Sequence, residues 1–236
     1  MTILPTLDER ASAVIFGSLS PPPLCQLSIF EGQYLLTYQE DSTHYTKFIS
    51  SAAVRAAFVN LPVDSGFLPP GVVRWGSGSQ GDWLVQFIPA TRYNIPVILN
   101  SEVIRLTVPL PPLIFMGIDS HYYVWAVKVK MFNPNALAFH APLPNINECG
   151  LICFGSNHVP KVSSKTFSET WQIFFNSAFN GDLASGKSRS YPNDVRPFLV
   201  GLATLGKKRY PYRDLVSTGV AIATIIDTLV NKAGGF

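Results

Sequence analysis

Apolar and polar positions along the chain change rhythm several times. In the first third they form short apolar runs parted by turn residues. Residues 13–16, Cys25–Phe30 and 33–39 read as strands, the last two joined across Glu31-Gly32. Serines and alanines over 50–58, with Val54 and Phe58 one helical turn apart, predict a helix. Asp64-Ser65-Gly66 and Pro69-Pro70-Gly71 then break the pattern, which predicts an accessory β-rich region over 1–70 and a main domain over 71–236.

From Val72 the strand rhythm strengthens. Residues 83–88 (WLVQFI), 103–108 (VIRLTV) and Leu113–Ile118 (LIFMGI) read as strands, with 78–82 a loop and Pro109, Pro111 and Pro112 halting regular pairing. Asp119-Ser120 turns the chain into a strand over 122–131. Tyr123, Trp125 and Val127 are expected on one face of it, and Tyr122, Val124, Lys128 and Lys130 on the other. Asn133-Pro134-Asn135 marks a turn into a short returning strand over 136–140, so the succession predicts an antiparallel meander.

Residues 142–160 follow neither period and are rich in Pro, Asn and Gly. A long irregular segment inside a domain is more often functional than idle. Beyond it Phe167, Trp171, Phe174, Phe175 and Ala178 form one apolar stripe of a helix, with Thr166 or Ser168 as the cap and Asn180-Gly181 as the stop. Residues 186–193 read as a polar loop, 197–205 as a short apolar segment and 214–232 as a terminal helix. The predicted class is α+β: an antiparallel meander packed against helices, with a β-rich N-terminal extension.

Composition narrows the function classes. Of 236 residues 47% are hydrophobic and only 14% charged, which favours a packed core over disorder. A net charge of +3 is too slight to argue for nucleic acid. One basic cluster, Lys207-Lys208-Arg209 with Arg213, is interleaved with Tyr210 and Tyr212; it reads as a solvated loop, the other reading being a partner surface. Three cysteines and an opening without an apolar run predict a reducing, cytoplasmic setting. The most apolar window, 215–230, is interrupted by Asp227 and is expected to pack as a helix and not to span a membrane.

The candidate chemistry lies in 143–153, Leu-Pro-Asn-Ile-Asn-Glu-Cys-Gly-Leu-Ile-Cys. This stretch resembles the active-site segment of ubiquitin-conjugating enzymes, whose pattern is His-Pro-Asn-Ile-Asn, two variable residues, Gly, one variable residue, Ile and the catalytic Cys. Pro144, Asn145, Ile146, Asn147, Gly150, Ile152 and Cys153 match it in register. Trp125-Ala126, Ala141-Pro142, Gly155, Trp171 and Phe174-Phe175 extend the likeness to the bacterial PRTRC system protein B branch, found in cassettes with an activating-enzyme-like protein and a metallopeptidase.

The resemblance implies a carrier of a ubiquitin-like modifier that receives the modifier on Cys153 as a thioester and hands it to an acceptor. Cysteine suits the task because its thiolate is a strong nucleophile. Asn145 inherits two possible roles, donating to the oxyanion or holding the active-site loop. Pro144 would stiffen the turn, Asn147 would belong to the same loop, Gly150 would permit backbone geometry closed to other residues, and His158 is a lesser candidate for proton transfer. The implied partners are a ThiF-type activating-enzyme-like protein, a ubiquitin-like modifier and a JAB-type metallopeptidase, with no metal or small cofactor and no membrane.

Departures from the pattern are clear. Leu143 stands where the family has His, the Tyr-Pro-x-x-Pro-Pro stretch is missing, 154–165 is inserted, and Trp171 lies farther from the cysteine than usual. No acid matches the group that helps deprotonate an incoming amine. Other readings stay open: Cys153 as a buried small hydrophobe, Cys149 as an incidental thiol, or His140, Cys149, Cys153 and His158 as zinc ligands. At the level of the whole chain the alternatives are a silent scaffold for a modifier or activating enzyme, and a β-rich assembly protein.

Overall fold

The computed structural model describes residues 25–40, 43–54, 65–78 and 81–234. The chain divides into two units, Met1–Asp64 and Ser65–Phe236. The expected strand over 13–16 lies outside the described residues, as does most of the helix expected over 50–58, of which 51–54 are helical.

The first unit contains β1 (Cys25–Phe30), β2 (Gln33–Glu40) and β3 (Thr43–Ile49), an antiparallel three-stranded sheet in sequential order. Its hairpin turns on Gly32, whose φ of 74° is the left-handed backbone such a turn needs. The expected strands coincide with β1 and all but the last residue of β2. The third strand is mostly polar (THYTKFI), so its sequence carries little apolar alternation to find it by.

The second unit is built on a six-stranded sheet in which β4 (Val72–Gly78), β5 (Gly81–Ile88), β8 (Leu113–Ile118), β9 (His121–Ala126), β10 (Leu137–His140) and β11 (Ser217–Ala221) lie side by side in that order. Every pairing is antiparallel. Between β5 and β8 the chain leaves the sheet as a separate hairpin, β6 (Thr91–Leu99) and β7 (Glu102–Leu110). The expected meander is therefore interrupted. The strand expected over 103–108 pairs with β6, and β8 pairs directly with β5.

Both faces of this sheet are covered, and the sequence shows it. β8 is buried at every position, which is why it reads as an unbroken apolar run. One face joins Leu84, Phe115, Tyr122 and Val124 to the β6–β7 hairpin and to helices α1 (Phe167–Asn176) and α2 (Arg196–Thr204). The other joins Val85, Ile114, Met116 and Trp125 to Ile222 and Ile226 of helix α3 (Ile222–Gly234). At about 1.5–3 kcal/mol per large apolar side chain, burial of these two faces dominates the stability of the unit. The architecture is α+β, with antiparallel sheets and few helices.

Three expectations are corrected. The strand over 122–131 ends at Ala126, and its two faces are both apolar, so Lys128 and Lys130 fall beyond it on exposed chain. α1 stops at Asn176, because Ser177 turns extended (ψ 144°) and carries the chain into a bridge from Phe179 to Val97 of β6; Ala178 is exposed and not part of the stripe. The region over 214–232 is not one helix: a short 3-10 turn at Tyr212–Asp214 precedes β11, and α3 begins only at Ile222. Among the described residues no helix is long and apolar enough to cross a membrane.

Candidate functional site

β10 ends at His140, and the chain then leaves the sheet for a buried arc, 141–146, before surfacing at Glu148 and Cys149. It returns along the edge of β9: Val124 donates its N–H to Gly150 O at 2.8 Å, and Ile152 donates to Tyr122 O at 2.8 Å. Residues 150–152 thus pair with the first half of β9, where β10 pairs with the second. Cys153 is the first residue past this pairing, and its side chain is exposed. That burial state removes the reading of Cys153 as a buried hydrophobe.

The arc is closed on itself by hydrogen bonds. Cys153 donates its N–H to Asn145 O at 2.8 Å, and Asn147 donates to Leu151 O at 2.9 Å. The Asn147 side chain accepts from Leu151 N at 2.9 Å, so this residue is bonded to the returning strand through both main chain and side chain. Gly150 adopts φ 86° with its α-carbon packed on the Trp125 indole; a Cβ there would stand 2.5 Å from Trp125 Cε2. Glycine is required both by the left-handed backbone and by this close approach.

Asn145 is the hinge of the arrangement. Its φ of 59° is left-handed, a conformation that asparagine tolerates better than most residues. Its N–H donates to Asp182 O at 3.0 Å, and its Nδ2 donates to Ala178 O at 3.1 Å. The side-chain Oδ1 is buried without a partner. Ala178 and Asp182 lie in the stretch after α1 that is stitched to the β6–β7 hairpin, through Phe179 N to Pro96 O and Ile98 N to Phe179 O. The inserted hairpin therefore supports the loop: β6 holds 178–182, which holds Asn145, which holds Cys153.

Beyond the cysteine, Phe154 packs edge-on against Tyr122 and Phe174, with centroids 6.0 and 6.1 Å away. Asn157 Nδ2 donates to Phe154 O at 2.8 Å and to Ser177 Oγ at 3.1 Å, tying the segment to the end of α1. His158 is exposed. Leu143, where the ubiquitin-conjugating pattern has His, is wholly buried and packs in the aromatic core with Ile146 and Ile152.

On the other side of the arc lies Lys187, which is 3% exposed and donates Nζ to Asn147 O at 3.1 Å. Burial holds its pKa down at about 8, against the raising influence of Glu148 and Cys149. His140 is also held below its usual value, first by burial and then by the Lys187 charge, and its Nδ1 is buried without a partner. Sequence reading offered no route to Lys187, which sits in a stretch read as a polar loop. Of the four residues raised as zinc ligands, His140 is half-buried while Cys149, Cys153 and His158 are exposed, and among the described residues no group of three or more His, Cys, Asp or Glu is placed to hold a metal ion.

A family model, prokaryotic E2 family D, matches residues 44–218, which include the whole arc and the strands and helices that hold it. The chain belongs to prokaryotic E2 family D. No curated protein and no solved structure matches it. Membership of prokaryotic E2 family D gives the chain a ubiquitin-conjugating-like, transferase-like kind at the level of the family. A ubiquitin-like modifier and an activating enzyme are the general partners of that kind.

Proposed function

We propose that Cys153 carries a ubiquitin-like modifier as a thioester, received from a ThiF-type activating-enzyme-like protein and passed to an acceptor. The observation that carries this reading is the exposure of Cys153 at the end of a mostly buried, internally bonded arc. Residues that only support the fold do not need such a platform; a nucleophile that must meet two large partners in turn does.

In the first step the Cys153 thiolate attacks the carbonyl carbon of the partner's thioester. A new C–S bond forms, the old one breaks, and the partner's cysteine leaves as thiolate. In the second step an acceptor amine attacks, a C–N bond forms, Cys153 leaves as thiolate, and the amine's proton passes to solvent or to a base on the acceptor's side. Asn145 acts as the positioning residue: one N–H of its amide is engaged with Ala178 O, which favours the loop-holding role over oxyanion donation. Pro144, Asn147 and Gly150 belong to the same arc, and His158, like Cys153, is exposed. Where the ubiquitin-conjugating pattern has His, Leu143 is held by apolar burial, and the arc is steadied by the bond from Asn145 N to Asp182 O and the bond from Lys187 to Asn147 O.

In this reading 71–236 is the conjugating domain, with β5, β8, β9 and β10 as its meander, and 1–70 is an accessory region. A cassette of the PRTRC kind would supply the activating enzyme, the modifier and a JAB-type metallopeptidase, in the cytoplasm. Reconstitution with the first two and ATP tests it. A thiol-sensitive adduct on non-reducing gels is expected for wild type and Cys149→Ala and not for Cys153→Ala. No adduct from a folded chain and a charged activating enzyme would leave the scaffold reading in its place.

A further inference from the structure

The cleft beside the arc is lined by His140, Ile146, Asn147, Glu148, Lys187 and Val216, among others, and holds about 400 Å³. Lys187 is almost wholly buried, yet its ammonium has one acceptor, Asn147 O, and forms no ion pair among the described residues. An ammonium carries three N–H donors, so two are left without a protein acceptor. His140, on the same cleft, has a buried Nδ1 that is also without a partner. Buried charges in folded proteins are paired, and buried polar atoms are bonded; two such groups left open on one cleft describe half of a binding site.

The missing half is an acceptor of negative charge. A cation or a donor-rich ligand would face Lys187 with like charge, whereas an oxyanion would use the two free N–H groups of Lys187 and a Nδ1–H of His140. The nearest carboxylate, Glu148, is exposed and does not close on Lys187. We infer that the Lys187–His140 cleft binds a single oxyanion group, a carboxylate or a phosphate, against the rear of the active-site arc. Because Lys187 also holds Asn147 O, and Asn147 holds Leu151, an occupied cleft would stiffen the arc that presents Cys153. The inference does not depend on the thioester reading.

The test uses the full chain labelled at the lysine ε-carbons, titrated with acetate or inorganic phosphate at constant ionic strength set by chloride. A saturable shift of the Lys187 signal is expected, at least tenfold weaker affinity in His140→Ala, and no binding in Lys187→Met as read by thermal stabilisation. Tighter acetate binding would assign a carboxylate ligand, and tighter phosphate binding a phosphoryl group. Should Lys187→Met fail to fold, acetate binding is followed with pH in a Cys149→Ser background. The charged and titratable groups facing Lys187 are then Glu148 and His140, the latter held below its usual value by burial, so affinity should fall as Lys187 discharges above about 8. No saturable binding by either anion, equal binding in Lys187→Met, or affinity flat across that pH range would overturn the inference.

Discussion

Residues 141–152 and 153–158 are consecutive in the chain and opposite in character. The first stretch is mostly buried and bonded at nearly every turn: Asn145 to 178 and 182, Asn147 to 151 and 187, Gly150 and Ile152 to β9. The second is exposed from Cys153 onward except for Phe154, and its ties are fewer. The difference separates two kinds of work. The buried stretch fixes where the Cys153 sulfur stands, and stability should record any damage to it. In the proposed function the exposed stretch is the one that meets partners, and damage there should leave stability alone.

Gly150 gives the sharpest way to break the buried side. Alanine there must either displace a Trp125 indole that is 1% exposed or shift the strand pairing, and it must also hold φ 86°. Overpacking and a left-handed backbone together should cost about 3 kcal/mol. Urea unfolding would measure this, and a loss below about 1 kcal/mol would mean the arc is softer than its packing implies.

Lys187 gives a pH-dependent break of comparable size. Its pKa in the folded chain is about 8 against 10.5 for a free lysine, so between those values the unfolded chain binds the extra proton. Stability attributable to this residue should therefore rise as pH climbs from about 8 towards 10.5, by at most roughly 3 kcal/mol. The buried tyrosines titrate nearby and work in the opposite direction, Tyr93 being pushed up to about 12. The quantity to measure is thus the difference between wild type and Lys187→Met, which should grow with pH; a flat difference would remove the buried-ammonium account.

A pair of substitutions at Asn145 sharpens the comparison further. Asn145→Ala loses the bond to Ala178 O and meets the left-handed φ of 59° with a poorer residue, while relieving the unpaired Oδ1. The net cost should be about 1–2 kcal/mol. Asn145→Gly keeps the backbone bonds and suits the same φ, so it should be milder by about 1 kcal/mol. Equal costs would show that the side-chain bond, and not the backbone, is what holds the hinge.

How much of this was legible in the sequence follows from what each residue's neighbours are. β8 was readable to the residue, because a strand buried on both faces shows as an unbroken apolar run. For the same reason the alternation expected in β9 misled: Tyr122 and Val124 face one core and Trp125 the other, so no polar face exists. β11 (STGVA) runs straight into the helical pattern of α3 with small residues at the join, and local preference alone cannot place that boundary. The arc itself was legible through its motif. Its supports were not: Ala178 and Asp182 act through backbone carbonyls, which carry no side-chain signature. Lys187 is distinguished only by a tertiary fold that buries it.

The smallest stability effect belongs to the residue to which the proposed function assigns the chemistry. Cys153 has an exposed side chain, and its one bond to the arc runs through its backbone N–H to Asn145 O. Cys153→Ser keeps that backbone bond and exchanges one small exposed atom for another, so unfolding should move by less than about 0.5 kcal/mol. Its hydroxyl is far less nucleophilic than a thiolate, so the thiol-sensitive adduct should vanish, or be replaced in part by an ester that survives reducing agent. The comparison would fail in either of two ways. If Cys153→Ser destabilised the chain as much as Asn145→Ala, the sulfur would be part of the packing and the division between the two stretches would be wrong. If the variant kept a thiol-sensitive adduct, the reactive sulfur would lie elsewhere, with the neighbouring exposed Cys149 the first place to look.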